Sequence, residues 1–303
     1  MTFFVTGLLA REWVETGTSR PSEPVWVVNT VSDNQLEISF DLGGYFVEDL
    51  PNGKNKITFP GGVPNLEVGT PDLPKMAQSI IIPDLAHMEL SIVESEFVEF
   101  FMENLISSKG NLTRNINPAS VPYTFGQAYE TDEFYPQDIV FMRNPYIMRM
   151  VRGQAIVFQP IQYNPIQRTL RVYTHIKVNI QQNGMSQINP LTRRPARNGS
   201  REFENIYAEH FLNYSTNSRY ELLGEEGPML VVCYGEFMES MQPFVEWKNY
   251  KGIPTEMVDV ADIGGSDEIE AFVETKYYDD GIAFVLFVGD IDQIPSPRYS
   301  DGA

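Results

Sequence analysis

The chain has 303 residues, of which 42% are hydrophobic and 12% aromatic, a composition typical of globular proteins and a length that allows two domains. No apolar run approaches the roughly 20 residues that a membrane-spanning helix needs, so we expect no membrane span. The formal net charge is −19, and residues 220–303 hold 18 acidic against 4 basic side chains. Such an acidic surface repels phosphate backbones, which disfavours nucleic acid as a partner.

The first 25 residues open with a short apolar stretch, Met1–Ala10, that lacks the positively charged start of a secretion signal. We interpret residues 1–25 as an N-terminal remnant or a truncated signal. The single cysteine, Cys233, excludes an internal disulfide framework, so cysteine usage does not indicate the redox compartment.

Residues 26–182 are expected to form an antiparallel β-sandwich. Apolar and polar residues alternate in Gln35–Leu42, Met88–Val93 and Thr169–Ile180, which is the period-two pattern of half-buried strands. We expect Thr169–Ile180 to pair with a strand at Gln154–Tyr163 through a tight turn. Several prolines between residues 60 and 83 exclude long helices there and favour long loops.

Residues 183–227 are expected to form a linker that contains one short helix. The stretch 183–201 is polar and basic, whereas aromatic and apolar residues recur at helical spacing in 203–214. A second polar loop, Ser215–Gly227, follows, and we place the joint between the two domains there.

Residues 228–303 show the alternation of strands and helices that predicts a parallel βαβαβ sheet. Gly289-Asp290 follows the third strand, at the edge of the sheet where α/β proteins bind ligands. We expect that strand to be buried on both faces and Ser266 to be the N-cap of the second helix. The predicted strands are Met229–Tyr234, Thr255–Val258 and Ile282–Val288, and the predicted helices cover residues 237–248 and 266–277.

Little in the chain indicates catalytic chemistry. Cys233 lies in an apolar strand without a basic neighbour, so we predict an inert, buried thiol. His87, His175 and His210 lack the spacing of metal ligands, and no glycine-rich phosphate loop is present.

Aromatic residues leave a different class of function open. Trp26, Tyr163 and Tyr173 could offer a platform for sugars, in which case the β-sandwich would be a non-enzymatic surface module that binds carbohydrate or protein.

Several segments resemble the gingipains, a family of cysteine endopeptidases. The similarity runs in consistent order from about Gly61 onward and covers both predicted domains. The segments that resemble the gingipain prodomain are Pro122–Tyr129, Phe134–Pro136, Val151–Gln154, Pro160–Pro165 and Thr169–Tyr173. Those that resemble the start of the catalytic domain are Phe244–Asn249, Gly252 and Val288–Pro295.

This resemblance implies a secreted or cell-surface bacterial zymogen, in which a β-sandwich prodomain precedes a caspase-like α/β catalytic domain. The prodomain would assist folding and keep its own catalytic domain, its intramolecular partner, latent until cleavage. Proteins would be the substrates of the full-length enzyme, with cleavage directed to arginine. A degenerate homologue that lacks the catalytic residues is a further alternative.

The resemblance also implies roles for individual residues. Ser107–Arg114 is similar to the inhibitory loop, with Arg114 as the inhibitory residue and Lys109 as the second choice. Arg219-Tyr220 is similar to the processing point, with Arg197 as a second site.

The family's thiol nucleophile and its histidine have no counterpart in these residues, because Cys233 lies in the first strand and no histidine follows His210. We therefore expect the chain to end before them, to be inactive alone and to contain no catalytic residue. The chemistry requires no cofactor, but gingipain-like catalytic domains resemble calcium binders. Asp290, Asp292 and Asp301 are the candidates for binding a structural calcium ion.

Overall fold

A computed structural model describes residues 11–32, 34–51, 53–195, 201–214 and 227–297 of the chain. These residues divide into two compact units, the first within Met1–Pro145 and Gly153–Ile188 and the second within Tyr146–Arg152 and Asn189–Ala303. The segments 1–25, 26–182, 183–227 and 228–303 stay a prediction of domain organisation. No helix in the described ranges is long and apolar enough to cross a bilayer.

The part of the chain before residue 186 is rich in strands. In chain order they are β1 (Arg11–Glu15), β2 (Val25–Ser32), β3 (Gln35–Asp41), β4 (Gly44–Asp49), β5 (Asn55–Thr58), β6 (Val63–Pro64), β7 (Pro74–Ile82), β8 (Ala86–Phe101), β9 (Val140–Met142), β10 (Tyr146–Met148), β11 (Val151–Phe158), β12 (Ile161–Asn164) and β13 (Thr169–Met185).

The first unit contains three sheets, and every strand pair with an assigned register in them is antiparallel. One has the order β1-β4-β5, and a second has the order β12-β13-β3-β2 with β8 also paired to β13. In the third, β11 pairs with β7 and β9, and β6 lies beside β7. Phe40 of β3 stacks on Phe158 of β11 with ring centroids 5.0 Å apart, and Trp26 packs edge-on against both rings. The two larger sheets therefore bury apolar faces against each other, as a β-sandwich does.

The period-two pattern predicts most of these strands. Gln35–Leu42 and Thr169–Ile180 correspond to β3 and β13, and Met88–Val93 lies inside β8. The single strand expected at Gln154–Tyr163 is wrong, because the chain leaves one sheet and enters another at Pro160. Proline has no N–H for a sheet ladder. Only the second half, β12, pairs with β13 as predicted.

The second unit contains the parallel sheet that the sequence predicts. Its order is β15-β14-β16, with Met229 of β14 aligned to Thr255 of β15 and to Phe284 of β16. The helices and strands after residue 200 are α1 (Arg201–His210), β14 (Met229–Cys233), α2 (Met238–Tyr250), β15 (Thr255–Asp259), α3 (Ser266–Asp279) and β16 (Phe284–Val288).

Two local predictions for this unit are wrong. β16 is not buried on both faces: Val285 and Phe287 share one face and are 37% and 49% exposed. Leu286, on the other face, packs against the cluster that contains Val245 of α2. Ser266 is the first residue of α3 rather than its N-cap. The cap is Gly265, whose N–H donates to the Glu268 carboxylate at 3.0 Å, so a carboxylate three residues on satisfies the backbone instead of a serine hydroxyl.

Candidate functional site

The loop formed by residues 107–126 carries both candidate basic residues and is fixed at its two ends. At one end the N–H of Ser108 donates to the carbonyl of Thr70 at 2.8 Å, and the N–H of Gly69 donates to the carbonyl of Ser108 at 3.0 Å. At the other end the N–H of Gly126 donates to the carbonyl of Gly69 at 2.8 Å. Loop 107–126 therefore has a hydrogen-bonded base on the segment 69–70.

Gly110, two residues beyond Ser108, leaves no room for a side chain. It has φ of +78°, in the left-handed region that L side chains rarely adopt, and a Cβ there would lie 2.4 Å from Cγ2 of Val68. The Ser108 hydroxyl accepts a hydrogen bond from the N–H of Gly110 at 3.1 Å. These contacts fix the direction in which the chain leaves the base.

Arg114 lies at the tip of the loop, in a turn closed by a hydrogen bond from the N–H of Ile116 to the carbonyl of Thr113 at 3.0 Å. The Thr113 hydroxyl also donates to the side-chain oxygen of Asn115 at 2.5 Å. Arg114 is exposed, and its guanidinium has no hydrogen-bond or ion-pair partner among the residues that the structure describes. The turn thus presents the planar N–H donors of a guanidinium to a partner.

Lys109 is placed differently. Its Nζ donates to the carbonyl of Pro118 at 2.7 Å and lies 4.1 Å from the ring centroid of Tyr123. The ammonium is therefore used within the loop, where it connects the beginning of the loop to the 3-10 turn Pro118–Ser120. Of the two basic side chains, Arg114 is the one available to a binding pocket.

The described part of the chain does not contain all of the residues predicted for processing and for calcium binding. Arg219, Tyr220, Arg197 and Asp301 lie outside the described residues. The described ranges contain no group of three or more His, Cys, Asp or Glu side chains that could hold a metal ion.

Asp290 uses Oδ1 to accept a hydrogen bond from the N–H of Ile291 at 2.7 Å, and its own N–H donates to Oε1 of Gln293 at 2.8 Å. A structural calcium ion, with Asp290, Asp292 and Asp301 as its candidate ligands, stays a prediction.

Cys233 is fully buried, as the sequence predicts. Burial and, to a smaller degree, the neighbouring Asp259 raise the pKa of its thiol, which disfavours the nucleophilic thiolate. His175 Nδ1 is 2.6 Å from Oδ1 of Asp41, and His210 Nε2 is 2.6 Å from the hydroxyl of Tyr146. No described histidine is hydrogen-bonded to the thiol.

The aromatic platform for sugars is wrong. Tyr163 and Tyr173 are only 1% and 8% exposed, and Trp26 packs against Phe40 and Phe158. The Tyr163 hydroxyl donates to the carbonyl of Met102 at 2.9 Å. These rings stabilise the first unit and do not offer faces to a ligand.

Sequence patterns missed Arg149, which is 9% exposed in the second unit. Its Nη1 and Nη2 donate to the carbonyls of Ile282 and Gly281 at 2.7 and 2.8 Å. The available signal was a charged residue between two methionines in an apolar segment, Tyr146–Val151. A buried arginine requires such partners, because its charge is costly to remove from water.

A family model described as Propeptide_C25 matches residues 41–220, more than half of the chain. The chain belongs to this family. Among curated relatives of this Propeptide_C25 chain, Gingipain R2 of Porphyromonas gingivalis is 36% identical over 248 residues, which cover 79% of the chain and 33% of the relative. Gingipain R1 of the same organism is 34% identical over 254 residues, which cover 81% and 25%. The chain thus spans one third or less of the length of these relatives.

A solved structure, the complex of Porphyromonas gingivalis RgpB pro- and mature domains, matches with a TM-score of 0.55 and 31% identity. The match covers 63% of the present chain and 98% of the matched chain in the solved structure. The resemblance to a gingipain prodomain is therefore confirmed, and this chain contains a gingipain-like propeptide.

Proposed function

We propose that the propeptide keeps a gingipain-like cysteine endopeptidase latent by presenting Arg114 to the pocket that binds the arginine of a substrate. The observation that carries the proposal is the exposed guanidinium of Arg114 at the tip of loop 107–126, whose base is hydrogen-bonded to Gly69 and Thr70. The same propeptide would assist the folding of the enzyme.

The physical basis is the fit between guanidinium and carboxylate. A planar fork of N–H donors binds a carboxylate through two parallel hydrogen bonds, so a pocket that selects arginine is blocked by any arginine held in it. Because the base of loop 107–126 is already ordered, binding loses less conformational entropy than a flexible peptide would.

The test mixes the purified chain with an active gingipain R and measures the inhibition constant. Arg114→Ala should weaken inhibition about 100-fold, since it removes a charge-assisted contact from a desolvated pocket. Arg20→Ala replaces another exposed arginine and should leave inhibition unchanged. Equal inhibition by the wild-type chain and Arg114→Ala would refute the assignment.

A second variant, Arg114→Lys, tests the proposed preference for arginine. Lysine retains the charge but offers a point contact in place of the fork, so inhibition of the Arg-directed enzyme should weaken about 10-fold. Stronger inhibition by Arg114→Lys than by the wild-type chain would indicate a pocket that prefers lysine.

For processing, we propose that the precursor is cut between Arg219 and Tyr220. The family match ends at residue 220, which supports a boundary there. Incubation of the precursor followed by N-terminal sequencing should give a new start at Tyr220, and Arg219→Ala should abolish that product. A start immediately after Arg197 would move the processing point into the earlier basic stretch.

For residues 228–303, we propose the opening part of a caspase-like catalytic domain that acts on proteins outside the cell. The parallel sheet β15-β14-β16 after the propeptide supports this assignment. None of the catalytic residues is assigned to this chain, because Cys233 is buried. The chain alone should not cleave arginine-containing peptides, and Cys233→Ser should change nothing in that assay.

A further inference from the structure

Part of the propeptide packs in the same compact unit as the α/β segment that follows it. Tyr146–Arg152 lies inside the Propeptide_C25 match, which ends at residue 220, yet it groups with Asn189–Ala303. β10 and the first residues of β11 form a hairpin there, with Arg149 in its turn at φ of +51°. Contacts of this hairpin with residues 227–297 are therefore contacts across the proposed processing point.

Arg149 makes the most extensive of these contacts. Its two terminal nitrogens bind the carbonyls of Gly281 and Ile282, between the end of α3 and the start of β16. The guanidinium also lies 5.3 Å from the ring centroid of Tyr277, whose hydroxyl donates to the carbonyl of Arg149 at 3.3 Å. Carbonyls beyond a helix C-terminus carry partial negative charge, which favours a cation at this position.

The hairpin is held in shape by propeptide residues on its other side. The Tyr207 hydroxyl of α1 donates to the carbonyl of Met148 at 3.1 Å and accepts from the N–H of Met150 at 3.1 Å. Burial raises the pKa of Tyr207, so its hydroxyl stays protonated and able to donate. The turn that carries Arg149 is thereby ordered within the propeptide itself.

A second propeptide arginine binds the same end of α3. Arg193 Nη2 is 3.3 Å from Oδ1 of Asp279, and its guanidinium lies 3.8 Å from the ring centroid of Tyr278. Both partners of the ion pair are largely exposed, so this contact is weaker than that of Arg149. The excess of acidic side chains in residues 220–303 favours two cationic contacts.

We propose that Arg149 and Arg193 form an anchor that keeps the propeptide bound to the α/β segment after the connecting chain is cut. This proposal rests on the proposed function in taking the cut between residues 215 and 226 as the processing step. The anchor acts apart from Arg114: cleavage alone does not release the propeptide, and release requires that Arg149 leave the carbonyls of Gly281 and Ile282.

The test uses the full chain with a recognition sequence for a site-specific protease in place of residues 217–222 and an affinity tag at the N-terminus. After cleavage, the immobilised propeptide is washed and the rate at which the C-terminal piece dissociates is measured. Arg149→Ala should accelerate dissociation at least about 30-fold, because it leaves buried carbonyls unpaired. Arg149→Lys should give an intermediate rate.

Arg193→Ala removes an exposed ion pair and should accelerate dissociation about two- to fivefold. Arg20→Ala replaces an exposed arginine that has no assigned contact with the α/β segment; it is the matched control and should dissociate at the wild-type rate. Circular dichroism before cleavage shows which variants are folded. Dissociation at the wild-type rate in every folded Arg149 and Arg193 variant would overturn the proposal.

The readout needs no peptidase activity, so the two proposals fail separately. In one outcome the two pieces remain associated through Arg149, but the chain does not inhibit gingipain R. That outcome would refute latency through Arg114 and support the anchor. Pieces that separate at once in the wild-type chain would overturn the anchor, whatever the inhibition assay gives.

Discussion

Lys109 Nζ donates to the carbonyl oxygen of Pro118 at 2.7 Å and so connects the two sides of the turn that carries Arg114. The same ammonium lies over the ring of Tyr123. Lys109 thus stabilises loop 107–126 internally, whereas Arg114 is exposed at its tip. The difference gives the two residues separable roles.

Replacing Lys109 tests this separation. Lys109→Met keeps the length of the side chain but removes the charged hydrogen bond to Pro118, worth about 1 kcal/mol at a partly exposed position. We expect inhibition of gingipain R to weaken about fivefold, far less than with Arg114→Ala. A loss for Lys109→Met as large as that for Arg114→Ala would make Lys109 the inhibitory residue.

Gly110 should be intolerant of a side chain. Gly110→Ala places a Cβ 2.4 Å from Val68 at a positive φ, and the combined overlap and strain should lower the free energy of unfolding by about 2–4 kcal/mol. Gly184→Ala is the matched control: its φ is +84°, but no atom lies within 4 Å of the added Cβ, so about 1 kcal/mol is expected. Urea unfolding of the chain measures both, and equal losses would show that Val68 yields without cost.

The sequence predicts the strands and helices well where one periodic pattern continues through an element. β3, β13 and the parallel sheet of the second unit follow from alternation or from continuous apolar runs, because burial of one or both faces determines those patterns. The single strand expected at Gln154–Tyr163 is wrong, because both halves are rich in apolar residues and nothing in that pattern marks the change of sheet at Pro160. Only tertiary pairing reveals that β11 and β12 belong to different sheets.

The two functional arginines also differ in whether the sequence could predict them. Arg114 could be selected from the sequence because loop 107–126 is a local segment whose residues resemble a known loop. Arg149 could not, since its partners Gly281 and Ile282 are backbone carbonyls more than 130 residues away, and a carbonyl leaves no trace in side-chain patterns. A buried charge that binds backbone groups is therefore recognisable only in the folded structure.

Phe158 should be among the residues that most stabilise the first unit. It is fully buried and stacks on Phe40 across the two larger sheets, so Phe158→Ala should lower the free energy of unfolding by about 3–5 kcal/mol. Phe101→Ala is the control, because that ring is 72% exposed and should contribute within about 0.5 kcal/mol. Denaturant unfolding followed by far-ultraviolet circular dichroism compares the two. A small loss for Phe158→Ala would contradict face-to-face packing of the sheets.

Cys233 should be unreactive in the folded chain, and its titration should lower stability at alkaline pH. Burial raises the pKa of the thiol above its unfolded value, so the unfolded state loses the proton first as the pH rises. The stabilising contribution is therefore complete below the unfolded pKa and is lost as the pH rises toward the folded one.

Iodoacetamide labelling at pH 8 should be about 100-fold slower in the native chain than in urea, since the thiolate needs solvent access to react. Between pH 8 and 10, the free energy of unfolding should fall more steeply for the wild-type chain than for Cys233→Ala. Rapid native labelling would contradict the buried position of the thiol in β14, and with it the assignment of Cys233 to the core rather than to chemistry.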